Sequence, residues 1–402
     1  MNQPRTTCHS TKDGTETCTW GLLSVIDTVI CCMVIFPLCV FHWRGCWDLL
    51  DAYIYPRDEV ASSWLTLLLG SLLTLAAYIL QPFLSHWLKD CRSCAVYFTL
   101  TRLFLYAFGW ASLCYWRGVW NLMDHYFGVG LQSAIYWMIG SEGLLLVFKS
   151  TRSLVGAPFA IQLDTQLDLM EPDVMHLPCV DQKSRDEFPG WLKYISAVGF
   201  SQYLLMTANI SVWRCIWNIL DNTLLPHHHF LSDVYSLIAG YAMTICIFMC
   251  QIPTAAISDL LGQKSAKFKL IFEDVVFFIA TWAVLLLWRG GWDLLEAYFL
   301  PDKVVGGWTS HWIGTIGLIA IQGFRNVGAN GLDLDGGYHG GEGIYPTHYL
   351  REFFKNRFKQ TSEADEPLLS EEMIQQADME DGEAPYYKLS ETALNNLPSS
   401  SI

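Results

Sequence analysis

Charge is scarce in this sequence. Asp, Glu, Lys and Arg supply 16% of its 402 residues, where a soluble chain carries about 25%. Basic residues are the scarcer sign, 25 against 39 acidic ones, which excludes a nucleic-acid binder with its basic patches. The chain also lacks a P-loop, a G-x-S-x-G elbow and an H-E-x-x-H pair, so nothing calls for an enzyme or a cofactor. A disulfide framework is missing as well. Of 13 cysteines, Cys31, Cys32, Cys39, Cys114, Cys246 and Cys250 lie in or beside apolar stretches, as small soft hydrophobes do. Cys91 and Cys94 form a C-x-x-C with no second pair at zinc spacing, which leaves palmitoylation as the reading. The run His227-His228-His229 reads as a solvated turn.

What is present is apolar surface and tryptophan. Hydrophobic residues make 52% of the chain, Trp occurs 17 times, and the net charge is −14. From position 361 to the end there are ten acids and one lysine, so −9 of that charge sits in a short acidic tail. A charge-poor, apolar body with a solvated tail points to a multi-span membrane protein. Eight stretches are long enough, or nearly so, to cross a bilayer as helices of about 20 residues: 22–41, 64–84, 95–115, 131–148, 191–212, 231–250, 271–287 and 308–324. The polar start, Met1 to Trp20, argues against a cleaved signal peptide. Sixteen Lys/Arg fall on one side of these stretches and six on the other, which puts both termini in the cytoplasm by the positive-inside rule. The expected division is an N-tail at 1–20, a first half at 21–148, a cytoplasmic linker at 149–190, a second half at 191–324 and a tail at 325–402.

One pattern recurs four times. Trp43, Arg44, Trp47, Asp48 and Asp51 form the first copy, and Trp116, Arg117, Trp120, Asn121 and Asp124 the second. Trp213, Arg214, Trp217, Asn218 and Asp221 form the third, and Trp288, Arg289, Trp292, Asp293 and Glu296 the fourth. A proline follows in three copies, at Pro56, Pro226 and Pro301. The first tryptophans are 73, 97 and 75 residues apart. Each copy ends an odd-numbered span, so the expected architecture is all-α: eight transmembrane helices built as four parallel helical-hairpin repeats in two halves. On a helix the two Trp share one face, and the Arg shares another with the residues four and seven places on. An arginine at a membrane edge needs such partners, and paired Trp suits the interfacial belt. The corner then serves either as a staple of the hairpin or as one quarter of an outer vestibule.

Charges within the spans are few. Asp27 and Glu142 are the ones expected to be buried, and either is placed to pair with Arg102. The steps Gly140-x-x-Gly143 and Gly314-x-x-Gly317 allow close helix packing. The sequon at Asn209 lies within a span, where glycosylation is not expected. Residues 349–359 alternate apolar and basic, as an interfacial helix on anionic lipid or a plain solvated helix would. The tail carries a dileucine-type address at Asp365, Leu368 and Leu369, and a tyrosine-type one at Tyr386 and Leu389. It ends Ser400-Ser-Ile402, the pattern of a PDZ ligand.

Eight spans, the Trp-Arg-Gly-x-Trp-Asp-Leu-Leu corners and cytoplasmic termini resemble the Fuseless family, eight-pass presynaptic membrane proteins of invertebrates. The resemblance covers roughly residues 20 to 325, and the third copy departs from it at Cys215 and Thr223. It implies a role in organising voltage-gated calcium channels and supporting neurotransmitter release at the presynaptic plasma membrane, and it supplies no catalytic or binding residue. The alternative is a transporter or channel whose path is lined by Asp27, Glu142 and the corners. The staple reading predicts that Arg44→Ala or Arg289→Ala lowers expression more than it alters any ion selectivity. Normal folding with a changed ion dependence would sink it.

Overall fold

The computed structural model describes residues 25–89, 93–164 and 190–328, together with Cys91, Asp335, Tyr349, Leu350 and Phe353. The chain divides into Met1–Tyr349 and Leu350–Ile402. Of the second unit only Leu350 and Phe353 are described, so Asp365, Leu368, Leu369, Tyr386, Leu389, Ser400 and Ile402 lie outside the described residues.

Every regular element among the described residues is helical. The chain runs through α1 (Val25–Tyr53), α2 (Glu59–Lys89), α3 (Cys94–Phe127), α4 (Leu131–Val147) and a 3-10 turn at Thr151–Leu154. Helix α5 is a continuous run of Gly190–Gly199, a π segment Phe200–Leu205 and Met206–Thr223. Then follow α6 (His229–Met249), α7 (Gln251–Lys264), α8 (Ala266–Tyr298), α9 (Lys303–Ala320) and a 3-10 turn at Phe324–Val327. Helix α1 carries a π segment at Cys31–Ile35, twelve residues before its first corner Trp, as α5 carries one before Trp213. Side-chain caps start several helices: Ser93 accepts from the N–H of Val96, and Asp302 from those of Val304 and Val305.

Among the described residues, four helices are long and apolar enough to cross a membrane: Val25–Tyr53, Glu59–Leu88, His229–Met249 and Ala266–Tyr298. The helices outrun the apolar stretches expected from sequence. Helices α1, α3, α5 and α8 continue without a break through their polar corners, because each corner's arginine is paired inside the bundle and the backbone need not stop there. Helix α7 was not expected; it occupies what reads in sequence as a basic loop.

The outside of this body is apolar and its interior holds the cations. Leu68, Leu72, Ile238 and Ile316 are all more than half exposed, whereas Arg44, Arg117 and Arg214 are at most 2% exposed. Such a distribution suits a lipid surround rather than water.

Each outer helix packs on the corner helix of the next copy: α2 on α3, α4 on α5, α6 on α8, and α9 back on α1. Glycine makes three of these seams tight. A Cβ on Gly118 would stand 2.6 Å from Leu67 N, one on Gly290 2.6 Å from Leu237 N, and one on Gly45 2.3 Å from His311 N. Gly70, Gly240 and Gly314 face Tyr115, Leu287 and His42 as closely from the other side. The fourth seam differs. Cys215 replaces the corner glycine, and Gly140 and Gly143 face open space, so only the Gly314 step of the two expected from sequence mediates close packing. The turns after the corners match as well. Tyr55, Gly128, Leu225 and Leu300, each twelve residues past the first Trp, all have φ between 46° and 73°. Only glycine adopts that region without strain, and only the second copy supplies one.

The seams generate a prediction. Gly118→Ala should destabilise the protein by about 2 kcal/mol through overpacking, while Gly143→Ala should be nearly neutral. Thermal unfolding in detergent compares the two, and equal losses would refute the packing account.

Candidate functional site: a tryptophan-walled cavity

The four corner helices meet around one axis, and the tryptophans define it. Trp43, Trp116, Trp213 and Trp288 form a closed ring, each indole edge-on to the next at centroid distances of 5.3 to 5.9 Å. Trp47, Trp120, Trp217 and Trp292 form a second ring at 5.6 to 6.3 Å, with planes 88° to 89° apart. Edge-to-face pairs are the favoured aromatic geometry, contributing about 1 kcal/mol each beyond burial. This corrects the interfacial-belt expectation. The corner tryptophans face one another across the axis, and those of the first ring are buried at 6% to 9% exposure.

The arginines turn the other way and bind neighbours. Nε of Arg117 donates to Asp51 at 2.9 Å, Nε of Arg214 to Asp124 at 2.6 Å, and Nε of Arg289 to Asp221 at 2.7 Å. In each case the acid belongs to the preceding copy, not to the arginine's own helix as the spacing alone suggested. Hydroxyls of the outer helix complete the shell: Ser62 and Thr66 for Arg117, Ser232 and Ser236 for Arg289. Arg214 reaches the Gly128 carbonyl instead, at 2.5 Å. Arg44 is the exception. It pairs within α1 with Asp48 at 3.1 Å and bonds Ser310, while Asp51 takes Lys303 as a second cation at 2.9 Å. Of the remaining corner residues, Asn218 approaches Asp124 at 3.5 Å, Asp293 lies 3.7 Å from Arg289, Asn121 is half-buried on α3, and Glu296 is exposed.

All eight corner tryptophans wall a cavity of about 540 Å³. Asp124, Asp221, Asp293 and Glu296 add carboxylates to its lining. One end is closed by two loops that sequence reading assigned to the linker and the tail. Trp213 Nε1 donates to the Leu154 carbonyl at 2.9 Å, Trp288 to Ala157 at 3.0 Å, and Trp43 to Val327 at 3.1 Å. Trp116 Nε1 is buried with no hydrogen-bond partner. Asn209, the sequon residue, is spent on the same loop, donating to the Ser153 carbonyl at 2.6 Å.

The two loops also lock each other. Asp164 accepts the backbone N–H groups of Phe324 and Arg325 at 3.0 and 2.6 Å, capping the second 3-10 turn. Asp335 accepts those of Thr151 and Arg152, both at 2.8 Å, capping the first. Burial pushes the Asp164 carboxyl up, against the opposing pull of the Arg102 guanidinium and of those two N–H groups. Arg102 thus pairs with Asp164 at 3.0 Å, not with Asp27 or Glu142. Asp27 is buried beside Cys31 and Tyr349. Glu142 keeps one buried oxygen without a hydrogen bond. Neither residue lines the cavity.

Sequence reading missed the loops, because their contacts with the ring are made by backbone carbonyls, which carry no residue-type signature. It also missed a cluster of nitrogen and sulfur donors, His42, Cys46 and His311, the one potential metal-ligating group among the described residues. The i,i+4 spacing of His42 and Cys46 was the available signal. Cys91 of the C-x-x-C does not add to it, because its thiol bonds the nearby Ser93 carbonyl.

An apolar outer face, buried arginines and helices of membrane-crossing length define an all-helical membrane protein. The chain belongs to the Fuseless family, whose model, described as Fuseless, matches residues 22–327. No curated protein and no solved structure matches it significantly.

The lock between the loops generates a prediction. Asp164→Asn should cost about 3 kcal/mol, because it strands the buried Arg102 charge. The double variant Arg102→Met/Asp164→Asn should regain part of that loss in the same thermal measurement. No recovery would show that Arg102 does not depend on Asp164.

Proposed function

We propose that this chain is a non-enzymatic, eight-pass protein of the presynaptic plasma membrane that organises voltage-gated calcium channels and supports neurotransmitter release. The channel and synapse parts of that reading rest on membership of the Fuseless family. Eight crossings are supported by the rings. Two corner helices, α1 and α8, are long and apolar enough to span, and the closed rings require α3 and α5 to carry their corners at the same level. Four parallel hairpins in two halves then follow, with both termini cytoplasmic by the distribution of Lys and Arg. Tail attachment to channels or to a PDZ-type scaffold is part of the proposal, with the bilayer as the constant partner.

A scaffold is favoured over a conduit by one observation: the cavity is stoppered by two loops bonded to the ring indoles. A path along Asp27 and Glu142 finds no support, since neither touches the cavity. In neurons lacking the protein, the full chain should restore calcium channels to release sites. A chain cut after Lys359 should reach the membrane but fail to do so. Proteoliposomes of the purified protein should show no ion flux above empty vesicles; flux that Trp47→Ala alters would overturn the scaffold reading in favour of transport.

A further inference from the structure

The seam between α1 and α9 closes the ring, because it joins the last copy to the first. It is also the seam where the corner arginine does not bond an acid of the preceding copy. The sulfur of Cys46 lies 3.1 Å from Nδ1 of His311 and 3.6 Å from Nε2 of His42, and all three donor atoms fall within 4.8 Å of one another. The three residues are 0% to 1% exposed. We propose that His42, Cys46 and His311 bind a thiophilic transition-metal ion, Zn²⁺ or Cu⁺, which clasps α9 to α1.

Three features carry this. With metal–sulfur and metal–nitrogen bonds of ordinary length, the sulfur–nitrogen edge of a tetrahedral site is roughly 3.6 Å, close to what this cluster already has. Each imidazole also has a second partner on its far nitrogen: Thr315 Oγ1 at 3.0 Å from Nδ1 of His42, and Tyr106 Oη at 3.0 Å from Nε2 of His311. Metal-binding histidines are oriented by such outer bonds, which aim the other nitrogen inward. Finally, the ligand set is particular to this seam. The positions matching His42, Cys46 and His311 hold Tyr115, Val119 and Leu67 in one other tight seam, and Leu287, Gly291 and Leu237 in the next. Those seams pack without donors, so packing alone does not demand them here. A thiolate with two imidazoles selects soft or borderline ions over Mg²⁺ or Ca²⁺. Binding converts the Cys46 thiol to a thiolate and releases its proton to water.

The test uses the full chain purified in detergent without chelators. Metal analysis should find close to one equivalent of zinc or copper per chain, or saturable uptake of one equivalent on titration with Zn²⁺ or with Cu⁺ under reducing conditions. Which arm saturates identifies the ion. Cys46→Val and His311→Leu install residues that the other seams already tolerate, so both should fold and both should lose at least tenfold in metal content. Substitution with Co²⁺ should give a thiolate charge-transfer band that Cys46→Val abolishes. Absence of bound metal together with no uptake in either arm would overturn the proposal. So would folded variants that keep the wild-type equivalent.

Discussion

A guanidinium buried in an apolar body must find a carboxylate, and that requirement organises this molecule. Removing such a charge from water costs several kcal/mol unless close partners replace the solvent. Arg117, Arg214 and Arg289 take theirs from the corner before them, so no corner is electrostatically complete by itself. Copies of the motif are thereby drawn around a common axis in chain order, and the tryptophans on the opposite face of each helix are turned inward. Glycine lets the backbones come close enough for serine hydroxyls of the outer helices to fill the remaining guanidinium sites. Arginine, hydroxyl and glycine are three parts of one contact.

The cavity is a consequence of that ring. Four helices held at their flanks by ion pairs leave an axial space, and eight indoles are too few to fill it. The loops after α4 and after α9 enter from one end, where ring N–H groups need acceptors and loop carbonyls need donors. Because each loop's turn is capped by an aspartate from the other, the two halves of the chain are tied together at the axis. The stopper is therefore part of the fold.

Much of this was legible in the sequence, and the misses share a cause. The all-helical class and the four corners came from composition and from the recurrence of Trp-Arg-x-x-Trp. Helix ends were read short because a hydropathy run stops at Arg44 or Arg289, whereas a helix continues wherever its charges are paired. Own-helix partners, which hold for Arg44 with Asp48 and at longer range for Arg289 with Asp293, were assigned to all four arginines because i+4 and i+7 are visible in one dimension, while a neighbouring helix is not. The tryptophans were turned toward lipid for the same reason: an amphipathic residue suits a membrane interface and a cavity lined with carboxylates equally well. Residues 150–157 and 325–328 read as linker and tail because their bonds are made by backbone atoms, which carry no residue-type signature.

The sequence by itself determined most of the elements: eight of the helical stretches, that a corner recurs four times, and that most of the acidity belongs to the last 42 residues. Periodicity and composition are local properties, so a single chain displays them. Tertiary structure alone decided that the corners form a closed ring, that three of the four arginines answer to the previous aspartate, that two loops seal the axis, and that His42 and Cys46 meet His311. These are contacts between residues from 51 to 284 positions apart, and their partners are chosen by proximity in a folded, low-dielectric interior rather than by spacing along the chain.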